Sequence, residues 1–510
     1  LSFAKTYSAQ IHSLLAHIIE IEVDISSKTL HAFSIVGLPD KAVEEARDRI
    51  SAAIKNSNFK SPKSANQKVV ISLAPANLKK VGSAYDVAMA LAYLKANGDI
   101  AFNSEEKIFV GELALDGTLR PVQGVLALTE AAKKAGFKEI YVPKGNAEEA
   151  ALIGGIKVYA PNTLLDIIDH LDTNKEDGTA LFVQEKTVIT PSKAKRKTSF
   201  DEIQGQAEAK RSLIIAAAGG HNVALYGPPG TGKTMLARAF RDILPPLTAK
   251  KVLESTSIHS IAGTLTENLV LMPPFRAPHH SASHTAVVGG GTIPKPGEVT
   301  LAHNGVLFLD EFPEFERRVI DGLRVPLEDK VVHITRMQGM ATFPANFILI
   351  AALNPCPCGN FGSHKECVCL PYARERYRKK ISGPIVDRID MWVEVPHIDI
   401  SLLAQKKITS HQTKEASEKV LTAREKQKGR FGTPNKTNGL LSVKELRKHV
   451  YLDKNSEQTL ARAAKALDLS PRSYHRIIKL ARTIADLDNR ENVEEVHILE
   501  ALQYRPKKLT

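Results

Sequence analysis

No stretch of this 510-residue chain approaches the roughly eighteen uninterrupted apolar positions that a membrane-spanning helix needs. The first 25 residues also lack the basic flank, apolar block and small-residue cleavage site of a secretory leader, so a cytoplasmic protein with no membrane partner is expected. Short-period repeats are missing. So is any recognition-helix signature strong enough to imply base readout. Cysteine is scarce: there are four, all between Cys356 and Cys369. Acidic charge falls short of basic, with 56 Asp+Glu against 69 Lys+Arg and a net +13. That excess raises the expectation of an acidic partner such as nucleic acid.

The imbalance is local. Residues 1–180 carry a net −2, 181–200 carry +4, 201–400 carry +1 and 401–510 carry +10. A polyanion contact driven by charge should therefore centre on the C-terminal fifth. Residues 174–199 mix charge, Gly, Pro and a basic run without apolar periodicity, and read as a linker. In residues 1–173, strand-like runs such as Phe33 to Gly37, Val69 to Leu73, Ile108 to Val110 and Ile140 to Val142 alternate with helical patterns, which predicts an α/β domain. In residues 200–400, apolar strands at Val223 to Tyr226, Val306 to Leu309, Phe347 to Ala352 and Trp392 to Val395 are spaced for crossover helices and a parallel sheet. Residues 401–510 show helical patterns only and read as an all-α lid.

The chemistry begins after the first of those later strands. Gly227-Pro228-Pro229-Gly230-Thr231-Gly232-Lys233-Thr234 fits the phosphate-binding pattern GxxxxGK[ST], with a strand before it and a helix after it. Glycines let backbone N–H groups turn inward around phosphate oxygens, Lys233 reaches the β and γ oxygens of ATP, and the Thr234 hydroxyl ligates Mg²⁺. The strand Val306 to Leu309 ends in Asp310-Glu311, one carboxylate suited to Mg²⁺ and one to orienting the attacking water. The next strand ends in Asn354, an amide able to sense the γ-phosphate.

Phosphate loop, Asp-Glu strand, Asn-tipped strand and helical lid resemble an AAA+ ATPase. Narrower matches are Phe200-Asp-Glu-Ile-Gln-Gly-Gln206, Phe275-Arg-Ala-Pro-His-His-Ser281, Asn354-Pro-Cys-Pro-Cys-Gly359, Asp387-Arg388-Ile-Asp390 and the run from Leu469 through Arg472 to Arg482. These resemble the magnesium-chelatase-like branch, and within it the ComM/YifB family. The resemblance implies a homo-hexameric DNA motor of helicase or branch-migration type, with ATP and Mg²⁺ and no other small-molecule substrate. It also implies that Arg388 is an arginine finger and Arg472 a second sensor arginine. A guanidinium stabilises charge on the transferring phosphoryl group, and one supplied by a neighbour ties hydrolysis to assembly. From the residues alone, Arg388 could equally pair with Asp387 or Asp390. Two inserts fit the family's mechanical parts: a β-hairpin within Glu328 to Phe347, and a pore-facing segment from Phe275 to Gly291 with His279, His280 and His284.

Cys356, Cys358, Cys367 and Cys369 form a CxC-x8-CxC cluster, which favours a tetrathiolate Zn²⁺ site in a reducing compartment. The usual knuckle spacing is two to four residues, so thiols packed in a loop and redox-sensitive thiols stay open as readings. Val110 to Gly124 and Ala131 to Pro143 resemble the Lon-type protease domain. In register with its Ser-Lys dyad, however, stand Ala84 and Leu126, with Ser83 one position off. A serine without an activating base is not a nucleophile, so proteolysis is not expected. Between Leu403 and Lys448 lie 12 basic and 4 acidic side chains, a candidate sequence-independent DNA surface or a solvated helix face. Protein remodelling and a metal-chelatase motor are the competing functions.

Overall fold

A computed structural model describes residues 2–27, 31–64, 66–175, 179–189, 199–267, 269–291, 294–336, 339–362, 365–398 and 411–506. It divides into two compact units. One comprises Leu1–Thr190 with Thr256–Val270, and the other Pro191–Ser255 with Leu271–Thr510.

The first unit is built on a four-stranded sheet. Strands Phe3–His12, Leu15–Ser27 and Gln67–Ala74 pair antiparallel, and Ala32–Val36 adds in parallel. Alternating burial along Leu15–Ser27, with Ile19, Ile21, Val23 and Ile25 inward, puts one face on a core closed by helices Lys41–Asn56 and Asp86–Asn97. Asp86–Asn97 is buried almost all round and carries no polar face. A second, parallel sheet joins Lys107–Phe109, Glu139–Tyr141 and Lys157–Tyr159. Its rings Phe109, Tyr141 and Tyr159 stack at successive centroid distances of 4.9 Å. Residues 179–189, read from the sequence as linker, lie down on this unit: Gln184 donates its N–H to the Val158 carbonyl at 2.8 Å, and Leu181 packs on the core. Residues 176–178 and 190–198 of that stretch fall outside the described residues.

The second unit centres on five parallel strands. In spatial order they are Phe275–Arg276, Val306–Leu309, Ile348–Leu353, Val223–Tyr226 and Met391–Glu394. Counted along the chain the order is 2-3-4-1-5, so strand 1 lies between strands 4 and 5 and its loop emerges at a switch in strand order, where open α/β sheets bind ligands. Apart from the edge strand Phe275–Arg276, the strands are buried nearly end to end, as expected of a sheet covered on both faces. Helices Gln412–Phe431, Lys454–Ala466, Pro471–Leu487 and Glu495–Gln503 share one hydrophobic core with this sheet through Val420, Leu460, Ile477, Ile484 and Ile498. The 400/401 boundary expected for the lid falls in 399–410, outside the described residues. Strands Val331–Arg336 and Gly339–Pro344 form the expected antiparallel hairpin. Among the described residues no helix is long and apolar enough to cross a membrane.

Candidate nucleotide site and its distant arginines

The sheet sets the site by ending three strands side by side. Gly227 follows strand 1 so closely against strand 5 that a Cβ would lie 2.2 Å from the Val395 carbonyl oxygen. Gly232, at φ +88, turns the chain into helix Lys233–Ile243 with its free N–H groups facing the loop. The Lys233 ammonium donates to the Gly227 and Pro228 carbonyls, each at 2.7 Å, and to Asn354 Oδ1 at 3.3 Å. Thr234 Oγ1 donates to Asp310 Oδ2 at 2.7 Å. The other Asp310 oxygen accepts the Glu311 N–H at 3.0 Å, and Glu311 itself sits at φ +50, left-handed for a residue with a side chain. Phosphate loop, Asp310, Glu311 and Asn354 are thus brought together as the sequence pattern implies. A hydroxyl beside a carboxylate at a helix N-terminus suits a Mg²⁺–triphosphate.

Arg388 and Arg472 are elsewhere. Among the described residues none of their hydrogen bonds reaches the phosphate loop. Both guanidiniums instead converge on the carboxylate of Glu328, and Arg388 Nη1 also donates to the Pro384 carbonyl at 2.8 Å. The pairing of Arg388 with Asp387 or Asp390 left open by the sequence is not what forms. Asp390 instead accepts the Asn222 N–H at 2.9 Å and pairs with Arg476 at 3.4 Å.

Three family models cover most of the chain. "Subunit ChlI of Mg-chelatase" matches residues 21–146, "Magnesium chelatase, subunit ChlI" 199–403, and "Magnesium chelatase, subunit ChlI C-terminal" 410–505. Competence protein ComM of Haemophilus influenzae is 41% identical over 508 residues, covering 99% of this chain and 98% of that protein. YifB of Escherichia coli is 42% identical over 490 residues, covering 96% and 94%. The chain belongs to the ComM/YifB family of magnesium-chelatase-like AAA+ ATPases.

A partial likeness accompanies this one: Lon protease 2 of Bacillus subtilis is 32% identical over 152 residues, 27% of each chain. In this ComM/YifB member the positions in register with the Ser-Lys dyad hold Ala84 and Leu126, neither with a hydroxyl or an amine. Leu126 is buried with its N–H on Glu149 Oε1 at 3.0 Å, and the Ser83 hydroxyl donates to the Glu112 carboxylate. Two residues before Leu126, the Gly124 N–H donates to Ser260 Oγ at 2.8 Å, from the segment Thr256–Val270 that belongs to this unit. Burial raises the Glu149 carboxyl above its ordinary range, and hydrogen bonds from Ser260, Leu126 and Asn146 pull against that rise.

One contact at the nucleotide site and one away from it escaped the sequence reading. His280 Nδ1 lies 3.1 Å from Glu311 Oε2, so the insert read as pore-facing holds the carboxylate that would orient water. The spacing of His279 and His280 gave no hint of it. Glu328, the anchor for both arginines, had no sequence signal at all. Of the basic side chains read as a DNA surface, two are structural. Arg424 donates to the Ala217 carbonyl at 2.7 Å, and Arg430 pairs with the fully buried Asp486. Lys406 and Lys407 lie outside the described residues. Lys444, Arg447 and Lys448, on helix Val443–His449, are exposed.

Burial lowers the Lys233 ammonium from its ordinary value to about 8, partly offset by Asp310. The protonated form is the one that attracts phosphate. As pH rises through about 8 the free site loses its cation, so kcat/KM for ATP is expected to fall about tenfold per pH unit beyond it. The expected kcat declines at higher pH, because bound phosphate favours the ammonium. A pH profile of initial rates checks this; a kcat/KM flat to pH 9.5 would assign the proton elsewhere.

Proposed function

We propose that this chain is an ATP-driven motor that assembles as a homo-hexameric ring and moves along DNA, of helicase or branch-migration type on branched or recombining DNA. The observation that carries it is the separation of parts. Lys233, Thr234, Asp310, Glu311 and Asn354 are complete at one edge of the sheet, while Arg388 and Arg472 are held away from them on Glu328. In this reading the arginines serve the nucleotide of a neighbouring subunit, and hydrolysis requires the ring. A relative's printed name, "Competence protein", supports a DNA role. So does a 22% identity over 333 residues with "Maternal DNA replication licensing factor mcm6" of Xenopus tropicalis. The exposed cations of Val443–His449 would contact phosphates without reading bases.

At the nucleotide site the phosphate loop binds the triphosphate through backbone N–H groups and Lys233. Thr234 and Asp310 would hold Mg²⁺, which supplies charge neutralisation on the β and γ oxygens. Glu311, steadied by His280, orients water, and Asn354, within hydrogen-bond reach of the Lys233 ammonium, senses the γ-phosphate. The test is ATPase rate with and without single-stranded, duplex and four-way-junction DNA. Wild type is expected to be stimulated and Lys233→Ala to be silent in all arms. Stimulation by unfolded protein with none by any DNA would replace this reading with protein remodelling.

The cysteine cluster is read as structural zinc. Sγ–Sγ separations are 3.3 Å for Cys356–Cys358, 3.6 Å for Cys358–Cys367 and 3.7 Å for Cys356–Cys367, and all four sulfurs lie within 4.8 Å of one another. A tetrahedral site with Zn–S near 2.3 Å has edges of about 3.8 Å, so the donors fit. Zn²⁺, when bound, supplies a crosslink between the two CxC arms. The loop between them backs onto the phosphate loop: a Cβ on Gly359, at φ +79, would lie 2.6 Å from Pro229 Cδ. Elemental analysis is expected to find about one zinc per chain. Cys367→Ser with Cys369→Ser should lose it, with lower thermal stability and a raised KM for ATP. Wild-type protein free of metal with unchanged melting would remove the site.

A further inference from the structure

The edge of the second unit's sheet opposite the phosphate loop carries a cavity of its own, of about 280 Å³. Gly305 and Phe347 line it immediately before the strands that lead to Asp310 and Asn354, and Leu244 and Leu247 add apolar surface. The lid helix Gln412–Phe431 contributes Leu421, Arg424, Glu425 and Lys428, at the i, i+3, i+4, i+7 spacing of one helix face. Every lining residue belongs to the second unit.

Two cations line this cavity without an anion to share. The Lys251 ammonium has no hydrogen bond or ion pair among the described residues, although the side chain is half-buried. It stands in the first turn of helix Ala249–Ile261, which has no acidic residue there to balance the positive end of the helix dipole. Arg424 directs Nε and Nη2 at the Ala217 carbonyl, at 3.2 and 2.7 Å, and its Nη1 has no partner among the described residues. The nearby carboxylates are engaged elsewhere: Glu254 accepts from Asn304 Nδ2 at 3.1 Å, and Glu425 pairs with Lys428 at 3.1 Å. Burial and the Arg424 charge lower the Lys251 ammonium to about 8, and Glu254 offsets only part of this. An unpaired, partly desolvated ammonium beside a guanidinium is costly, and a well-placed anion relieves that cost.

We propose that this cavity binds a small organic anion, a carboxylate or phosphate head on a compact apolar body, with the head at Lys251 and Arg424 and the body against Leu244, Leu247, Phe347 and Leu421. Small-molecule sites run from about 300 to 1,000 Å³, so a cavity of about 280 Å³ takes a ligand smaller than a drug-sized molecule. Apolar walls with a few convergent polar groups are what such sites use. The cavity lies at the strand starts, whereas Lys233, Asp310 and Asn354 lie past the strand ends, so this is a site separate from the nucleotide's. A ligand here touches lid helix and sheet together and stabilises their packing by mass action.

The test is calorimetric titration of the full chain, its phosphate loop filled by excess ADP and Mg²⁺, with naphthoate, phenyl phosphate and the neutral naphthamide. Naphthoate and naphthamide differ in charge and hardly in shape. One anion site per chain is expected, with a Kd of about 1 mM or tighter for the better of the two anions, which identifies the head group. Naphthamide should bind more weakly than naphthoate by about tenfold or more. Lys251→Met should weaken the anion about tenfold and leave naphthamide unchanged, and Lys251→Arg should restore the anion. Leu421→Trp, which fills the cavity from an exposed position on the lid helix, should abolish binding of all three. Lys251→Met is expected to melt no earlier than wild type, an unpaired charge having gone; if it melts early, Lys251→Arg and Leu421→Trp decide the matter. Equal affinity for naphthoate and naphthamide overturns the inference and leaves an apolar cleft only. Anion binding that survives both Lys251→Met and Leu421→Trp overturns it too, by placing the anion elsewhere. So does the absence of binding by either anion up to about 10 mM.

Discussion

Replacing Arg388 with alanine is expected to lower kcat for ATP by about 10³–10⁵-fold, the range for a guanidinium that stabilises charge on a transferring phosphoryl group. The effect should fall on kcat and leave nucleotide binding by the protomer nearly unchanged, because none of the described contacts of Arg388 is with its own phosphate loop. The residue is well positioned for such a task. Its carbonyl accepts the Asn222 side-chain amide at 3.1 Å, and the following Asp390 is locked by the Asn222 N–H and Arg476. Only the guanidinium is free to exchange Glu328 for another anion. Arg388→Lys is expected to recover little, since an ammonium cannot reproduce the planar fork. Steady-state ATPase of the full chain with a parallel nucleotide-binding titration checks both halves. A kcat within about threefold of wild type would exclude a transition-state role.

The parts legible in the sequence were those where local chemistry and local structure coincide. Strands Val223–Tyr226 and Val306–Leu309 stand at the limits read from the sequence, since each is a short apolar run ended by the residues that carry the chemistry. The hairpin and the helical character of residues 401–510 were also readable; in the structure helices Val443–His449, Lys454–Ala466 and Pro471–Leu487 start at the N-caps Ser442, Asp453 and Ser470. Long-range pairing was not readable. Nothing local marks Glu328 as the partner of residues 60 and 144 positions away, or His280 as the partner of Glu311. The departure of Thr256–Val270 from the unit that encodes it on both sides is likewise a tertiary fact, invisible in a helix pattern that runs unbroken through Ala249–Ile261.

Charge counting likewise does not separate surface cations from interior ones. Within the +10 of residues 401–510, Arg430 serves the interior. This sets up the largest expected loss of stability. Asp486 is fully buried and accepts from Arg430 Nη1 at 3.0 Å, Arg482 Nη2 at 3.0 Å and Asn438 Nδ2 at 2.8 Å. Thr483 continues the network to His221 at 2.8 Å, beside the strand that carries the phosphate loop. Asp486→Ala leaves two guanidiniums without their anion and is expected to destabilise the second unit by about 3–5 kcal/mol, the cost of breaking a buried pair from one side. Asp486→Asn, which keeps an acceptor, should lose less. Because a chain with two units need not unfold in one step, the measurement is hydrogen exchange of amides in Pro471–Leu487 and Gln412–Phe431 alongside denaturant unfolding. Arg430→Ala then separates the two roles a lysine- and arginine-rich stretch can have. A structural Arg430 predicts faster exchange in those helices with an unchanged salt dependence of DNA binding. A phosphate contact predicts the reverse, a salt slope reduced by about one with exchange unaffected.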